Sequence, residues 1–498
     1  MTISGTVVQG LQRGRKINFP TANLALIKSG LSDLGVYAVR VLVQGKWYMG
    51  MMNIGLKSEV QNKDTAIAPT LDNSFLYEVN IFNFDKDIYG EILTVDVVKK
   101  IRDEKKITSL EVLKNQLQED KKIALEMMKI PNPAYVLQEE LLEKNLQIIS
   151  DVRTRTGIEI LVALKSFALW KAFPVFKRFG FDVATASSPN EARLAYEEMG
   201  SAIHVFSPCY TDCNIEEFVK YGSHITFNSI NQYERFRSMA EFMSVGLRVN
   251  PEYSEVTTDL YNPTGAGSRL GIKAGALPAE LPSDIDGLHC HTLCESSAEA
   301  SAKLIEAFET RFGKFLKSLK WVNFGGGHLM TREGYDTDTL VNALLSFKNK
   351  YPHLKVYLEP GSAFTWQTGY LLARVEDIII NDGIKTAILN ISFSCHLPDC
   401  LEMPYMPDVR GAKISDDGQH VYRLGGNSCL AGDFMGSWEF DHALQVGEEI
   451  IFEDMIHYTM VKTTTFNGLS HPSIVIAKDG ISTYCRDFTF ADYKPRLA

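Results

Sequence analysis

Residues 158–165 read IEILVALK, an almost unbroken apolar run that stops abruptly on Lys165. A short continuous run of this kind suits a parallel strand covered on both faces. Working outward, the same signal recurs in DVATA (182–186), IHVFS (203–207), HITFN (224–228), VGLRV (245–249), GLHCH (287–291), WVNFG (321–325) and KVYLE (355–359). Helical patterns such as PNEARLAYEEMG (189–200) and SSAEASAKLIEAFETRF (296–312) separate most of them. Eight strands alternating with helices is the count that closes a parallel (β/α)8 barrel. An open doubly wound sheet competes, but it wants a glycine-rich turn after its first strand, where this chain has Leu164-Lys165-Ser166. Beyond residue 370 helices fade, and TAILNIS (386–392), EEIIFED (448–454) and SIVIA (473–477) predict an appended β domain.

The front of the chain has a different rhythm. GVYAVRVLVQG (35–45), KWYMGMMNIG (46–55), FLYEVNIFNF (75–84) and EILTVDVVKK (91–100) are short runs bounded by Gly, Asn or Asp, as in a small antiparallel barrel or sandwich. Residues 108–128 predict one helix, capped by Thr108 or Ser109, with Leu110, Leu113, Leu117, Ala124 and Leu125 as its apolar stripe. Pro131-Asn132-Pro133 ends it. The expected division is 1–128, 129–370 and 371–498, with the 131–140 segment possible as a joint.

The composition is that of ordinary globular protein, with 45% hydrophobic and 22% charged residues in 498. No apolar run approaches the ~20 residues of a membrane helix. The start, MTISGTVVQG, has no basic segment leading into an apolar core, and eight cysteines are too sparse for a disulfide scaffold. A cytoplasmic protein is expected. The net charge of −10 is uneven: residues 1–129 carry +3 and the rest −13. A basic front suits an anionic ligand such as a nucleotide, and an acidic body suits a cationic substrate and argues against nucleic acid. Solubility charge alone would look the same.

In a (β/α)8 barrel the active site lies at the C-terminal ends of the strands. Those ends carry Lys165, His291, Gly325-Gly326-Gly327 and Glu359. Singly, each has an ordinary explanation: a rim lysine, a core histidine, a tight turn, a structural ion pair. Together they offer an amine whose burial would make it nucleophilic, a flat ring, bare backbone N–H groups for a phosphate, and a carboxylate. Those are the needs of pyridoxal 5'-phosphate. Lys165 would bond its aldehyde, the glycines take its phosphate, His291 lie on its ring and Glu359 pair with the ring nitrogen. A protonated ring nitrogen favours decarboxylation over racemisation. His289, His291, Cys294 and Glu295 imitate a metal site, but no second Cys/His pair follows at zinc spacing. Cys209/Cys213 and Cys395/Cys400 read as incidental.

From about residue 131 onward, ALKSFALW, ASSPNEARLAYEEMG, GLRVNPEYSEV, YNPTGAGSRLGI, GLHCHTLCES, VNFGGGH, LEPGSA, LPDCLEMPY, GGNSCLAGD and HYTMVKTTTFNG resemble the fold-III pyridoxal-phosphate decarboxylases. Within them the chain looks most like the carboxynorspermidine/carboxyspermidine decarboxylases. That resemblance implies an alanine-racemase-type barrel with a C-terminal β domain, and a homodimer with shared active sites. It gives Cys429 the role of reprotonating the product carbon across the dimer interface. It gives Asp433 the distal amine of a polyamine substrate, Tyr458 the cofactor phosphate, and Glu295 a place near the substrate amines. Ornithine and diaminopimelate decarboxylases carry Arg after the EPG triplet, where this chain has Ser362.

The front piece, through GTVVQGLQRGRKINFPTANL, GVYAVRV, MNIG, YEVNIFNFDKDIYG and IRDEKKITSLEVLKNQLQEDKKIA, resembles riboflavin kinase. The resemblance implies that Thr21 and Asn23 of Pro20-Thr21-Ala22-Asn23 hold Mg2+ and the phosphates of ATP, and that Glu78 is the base acting on riboflavin. Arg13, Arg15 and Lys16 could attract phosphate. The chain departs from the pattern at Asn18, where glycine is usual, at LKSEV (56–60), where Pro-Thr should follow NIG, and at Asn80, where histidine is usual. The adenylyltransferase partner often found with this kinase is not seen. Three readings follow: a polyamine decarboxylase with a working flavokinase, one with a flavin- or nucleotide-binding regulatory module, and a decarboxylase of diaminopimelate or ornithine type.

Overall fold

The structure, a computed structural model, describes residues 2–10, 19–28, 33–56, 75–105, 109–200 and 203–498. Arg13, Arg15, Lys16, Asn18, Lys57–Val60 and Thr108 lie outside them. The chain forms two compact units, Met1–Pro131 with Val475–Arg486, and Asn132–Ile474 with Asp487–Ala498.

In the first unit, β1 (Thr2–Val8), β2 (Ala22–Lys28), β3 (Gly35–Val43), β4 (Lys46–Leu56), β5 (Phe75–Ile81) and β6 (Ile92–Arg102) form a closed antiparallel barrel in the order β1-β2-β5-β4-β3-β6. The period-two pattern turns Leu24 and Leu26, Met52 and Ile54, and Leu93 and Val95 into one interior cluster. β3 and β4 are joined by Gln44-Gly45, both in the left-handed region (φ 49° and 80°), the conformation a two-residue hairpin needs. Helix α1 (Leu110–Met127) starts at Ser109, whose hydroxyl accepts from the Val112 N–H. The expected stripe needs correction: Ala124 is buried, but Leu110 and Leu125 are exposed. Asp120 is buried instead, because its carboxylate takes two 2.8 Å hydrogen bonds from the Arg102 guanidinium and a third from Gln116. Ile481 packs in one cluster with Phe19, Ala38, Met51, Phe82, Ala124 and Met128.

The second unit opens with β7 (Ala134–Gln138) and α2 (Glu139–Thr156). The apolar run at 158 then becomes β8 (Glu159–Ile160) and β9 (Val162–Ala163), with only Leu161 between them. The Leu161 N–H bonds to Leu358 O (2.8 Å) and the Val162 N–H to Val183 O (2.9 Å). One strand therefore serves both edges of the sheet. After α3 (Phe173–Arg178) come β10 (Ala184–Ala186), α4 (Pro189–Glu198), β11 (Ile203–Phe206), α5 (Ile215–Tyr221), β12 (His224–Phe227), α6 (Ile230–Phe236) and β13 (Ser244–Asn250). Then follow β14 (Ile272–Lys273), β15 (Gly287–His289), α7 (Ala298–Phe312), β16 (Trp321–Asn323), α8 (Thr337–Lys350) and β17 (Lys355–Leu358). The sheet runs β8-β17-β16-β15-β13-β12-β11-β10-β9, all parallel, so β8/β9 closes an eight-stranded barrel and the open-sheet alternative falls. β14 is a side branch on β13.

The floor of this barrel is held by Trp321, which clusters with Leu161 and Tyr357. A Cβ on Gly246 or Gly287 would fall 2.3 Å or 2.0 Å from its indole, so the glycines at these two positions, on β13 and β15, make room for it. Beyond the barrel lie β18 (Gly369–Asn381), β19 (Ile384–Leu389), β20 (Ala412–Ile414), β21 (Val421–Gly425), β22 (Phe434–Phe440) and β23 (Glu449–Glu453). β7 pairs antiparallel with β18, Val136 opposite Tyr370, so the start of this unit belongs to its C-terminal sheet. Among the described residues no helix is long and apolar enough to cross a membrane.

Candidate active site

Each strand-end residue singled out above follows a barrel strand. Lys165 lies just past β9, His291 past β15, Gly325–Gly327 past β16 and Glu359 directly after β17. Lys165, His291, Gly327, Glu359, Glu295 and Tyr458 line one cavity of about 650 Å³.

Lys165 lines that cavity and is solvent-accessible there. Burial first, and the nearby Arg248 guanidinium second, lower its pKa, although Glu359 works the other way. Glu359 is buried and accepts a 2.7 Å bond from Asn323 Nδ2, with His289 Nε2 3.5 Å from its other oxygen. Burial raises its carboxyl pKa, opposed by Asn323, Lys165 and Arg248. At His291 the Gly326 N–H donates to Nδ1 (3.0 Å). Since an amide can only donate, Nδ1 is the acceptor and the neutral ring carries its proton on Nε2. Burial holds this ring well below the ordinary histidine range.

The glycine turn is shaped by close approach. A Cβ on Gly326 would lie 2.4 Å from Glu359 O, and one on Gly327 2.3 Å from Leu293 O; Gly325 and Gly327 also have φ of 68° and 91°. Gly325 and Gly326 direct their N–H groups at Asn323 and His291, and only Gly327 of the three lines the cavity. Tyr458, itself at φ 45°, donates its N–H to Ser166 O (2.8 Å) beside Lys165. Glu295 accepts from the Ser362 hydroxyl (3.1 Å), so the serine after the EPG triplet fixes a carboxylate at the cavity wall.

Two expected residues are not in this cavity. Cys429 is exposed, with its N–H on Asn467 Oδ1 (2.8 Å). Asp433 is buried, and its carboxylate accepts from Ser392 Oγ, Ser394 N and Ser428 N at 2.9–3.1 Å. Within the chain Asp433 is thus turned inward and braces the loop that carries Cys429. Of the metal-like set, His289 and His291 come together with Glu359, ligand atoms within 4.8 Å, while Cys294 and Glu295 are not in that group. Lys165 and Arg248 act as neighbouring cations on both histidines, a poor surrounding for a metal ion.

Sequence reasoning passed over Arg248, Asn323, His289 as a partner of Glu359, and His457. Arg248 is buried, donates to His291 O (3.1 Å), lies over the Phe206 ring and has its pKa pulled down to about 10 by burial. The signal was available: a charged or amide residue inside an otherwise apolar barrel strand must face the interior.

In the first unit the β2–β5 register sets Asn23 opposite Glu78, and the β4–β5 register sets Asn53 on its other side. Thr21 directly precedes β2. Asn80 is buried and donates to Pro20 O (2.6 Å), so the residue that replaces histidine ties the Pro-Thr-Ala-Asn stretch to β5.

Comparison with known proteins agrees with both units. Residues 1–128 match the family model for riboflavin kinase, and residues 143–366 that for the pyridoxal binding domain of pyridoxal-dependent decarboxylases. The carboxyaminopropylagmatine decarboxylase of Synechocystis is 50% identical over 371 residues, covering 74% of this chain and 96% of the relative. The carboxynorspermidine/carboxyspermidine decarboxylase of Campylobacter jejuni is 42% identical, covering 74% and 99%. The crystal structure of carboxynorspermidine decarboxylase complexed with norspermidine from Campylobacter jejuni superposes with a TM-score of 0.68 at 40% identity, covering 74% of this chain and 100% of that one. The chain belongs to the pyridoxal-dependent decarboxylases of carboxynorspermidine/carboxyspermidine type and carries a riboflavin kinase domain at its N-terminal end.

Proposed function

We propose that this protein is a cytoplasmic homodimer that decarboxylates carboxynorspermidine or carboxyspermidine, giving norspermidine or spermidine, and that its first unit phosphorylates riboflavin to FMN. The observation that carries the first half is the convergence of Lys165, His291 and Glu359 on a cavity also lined by Glu295, Asp399 and Asp454. Those carboxylates suit a substrate with one carboxylate and several ammonium groups.

Pyridoxal phosphate, when bound, supplies the electron sink for the bond to the departing carboxylate. Lys165 would hold it, its amine kept available by the lowered pKa. His291, neutral, would lie against its ring. Glu359, which accepts from Asn323 and has His289 beside it, would pair with its ring nitrogen. Of the glycine turn, Gly327 would offer its N–H to the phosphate together with Tyr458, while the Gly325 and Gly326 N–H groups are already taken by Asn323 and His291 and shape the turn. Glu295 would face the substrate amines. Cys429, contributed by a second copy, returns a proton to the α-carbon, and Asp433 acts by holding that loop. Exposed Leu430, Phe434 and Phe466 surround it, apolar surface suited to burial by a second copy.

The test is CO2 release by the holoenzyme from carboxynorspermidine, carboxyspermidine, carboxyaminopropylagmatine, diaminopimelate and ornithine. The first two should turn over best. A preference for the third would move the assignment to that relative's substrate, and activity on diaminopimelate or ornithine alone would refute it. For the first unit, Thr21 and Asn23 would hold Mg2+ and the ATP phosphates while Glu78 would accept the proton of the riboflavin hydroxyl. The full chain incubated with riboflavin and Mg-ATP should form FMN, and Glu78→Gln should abolish this without affecting CO2 release. Flavin binding without turnover would instead make the unit a regulatory module.

A further inference from the structure

Lys462 is a cation at the cavity edge with no part in the chemistry proposed above. The short helix Pro398–Glu402 sets Asp399 and Glu402 three residues apart, on one face. The Lys462 amine lies between them, 2.5 Å from Asp399 Oδ1 and 2.8 Å from Glu402 Oε2, and 6.0 Å from the centre of the Tyr261 ring. Burial alone would lower its pKa, but the two carboxylates together raise it, so the amine stays protonated. Asp399 and Tyr261 line the cavity. Lys462 closes the single helical turn that follows Tyr458, its N–H bonded to Tyr458 O (3.0 Å). The Asp399 charge is felt at Cys294 and at Tyr458. Cys294 in turn acts on Lys165, and Tyr458 bonds to the neighbouring Ser166, so the pair stands toward the reacting end of the cavity.

We propose that Lys462 is a specificity-determining residue: its ammonium occupies Asp399 in place of a substrate ammonium and so keeps diamino acids out of the site. A tethered ammonium competes at an effective concentration of roughly millimolar or more, and a free amine in the micromolar range does not displace it. Like charge adds a repulsive element against any second ammonium brought to that wall. The effect falls unequally on different substrates. A diamino acid has one side-chain ammonium to anchor, and the carboxylate it would use is taken. A polyamine carries further ammonium groups for other parts of the cavity, so the loss of Asp399 matters less to it. This rests on the polyamine reading above and deepens it, because Lys462 gives the reason that a simpler diamino acid is refused.

The experiment uses the holoenzyme with Lys462→Met and Lys462→Gln, which remove the charge, and Lys462→Arg, which keeps it. Binding of putrescine, cadaverine and norspermidine is measured by calorimetry, and CO2 release from ornithine and carboxynorspermidine is followed in the same samples. Absorbance of the lysine-bound cofactor shows that each protein is loaded. In the uncharged variants diamine binding should tighten by roughly tenfold or more, and kcat/KM for ornithine should rise with it, while norspermidine binding changes by less than about threefold. Lys462→Arg should keep the native preference. Diamines and norspermidine tightening by the same factor would make Lys462 a contributor of net charge only and overturn the selector role. Unchanged diamine binding in a folded, cofactor-loaded uncharged variant overturns it too, as does an arginine variant that behaves like the methionine one. Diamine binding that tightens as expected in an enzyme inactive on carboxylated polyamines would keep the selector and refute the polyamine activity.

Discussion

Lysine at the end of an apolar strand has two options, to extend its stem toward solvent or to keep its amine inside. At position 165 the side chain ends in a solvent-accessible cavity, because the strand stops inside a ring of seven others, and there the charges of Arg248 and Glu359 act on the amine. Its lowered pKa means that the neutral, nucleophilic amine is present at lower pH than for an ordinary lysine near ~10.4. Capture of pyridoxal phosphate by the apoprotein should therefore speed up with rising pH and level off below that value. In Lys165→Ala the absorbance of lysine-bound cofactor should be absent and CO2 release undetectable, with the thermal midpoint of the apoprotein little changed. A native spectrum in that variant would remove the lysine from the site. Glu359→Gln should leave cofactor bound but lower kcat by roughly a hundredfold, since the ring nitrogen loses its charged partner. Equal kcat would show that the carboxylate is structural.

Along the elements, the barrel interior sets its own limits. Gly287 and Gly246 read in the sequence as unremarkable strand glycines, yet each leaves the space that the Trp321 indole fills. Gly287→Ala should destabilise the unit by about 1–3 kcal/mol through overpacking, visible in denaturant melts. On β11 and β12 the register sets His204 beside His224, their rings stacked 3.8 Å apart at 17°. Burial lowers both pKa values, His224 to about 4. An unfolded histidine titrates near ~6.5, so the stability from keeping these rings neutral is complete above that pH and is lost as pH falls through 6.5 toward about 4. The thermal midpoint should drop over that window, and His224→Phe, which retains a ring but cannot take a proton, should flatten the drop. An identical pH profile in the variant would assign the acid sensitivity elsewhere. These cases also show where the sequence was readable. Eight apolar runs announced eight strands because burial on both faces leaves nothing else to choose, and the functional residues follow at their ends. The stripe on α1 misled because a bidentate pair between Arg102 and Asp120 can bury a carboxylate where an apolar residue was expected. The closure through Leu161, the Trp321 floor and the pairing of β7 with β18 depend on contacts between distant residues, and no local pattern encodes them.

For the molecule as a whole, the role proposed for Cys429 requires that thiol to reach a cavity it does not line. The cavity contains the amine, the ring and the carboxylate of one chain, but that cysteine is exposed and absent from its lining. Its loop is tied down at several points: Asp433 accepts three hydrogen bonds and Asn467 accepts from the Cys429 N–H. On the homodimer proposed above, a two-fold axis would present each copy's cysteine to the other's cavity. Lys165→Ala and Cys429→Ala would then damage different halves of one composite site. Each variant alone should be inactive or slow. Mixed after dissociation and reassociation, half of the dimers should be mixed, and in each of these one site combines an intact Lys165 with an intact Cys429. Activity should recover to about a quarter of native on random pairing. Recovery is read by CO2 release, and dimerisation by sedimentation of the same sample. Mixed dimers without recovery would mean that lysine and cysteine must come from one chain. A protein that sediments as a monomer while fully active would end the shared-site proposal altogether.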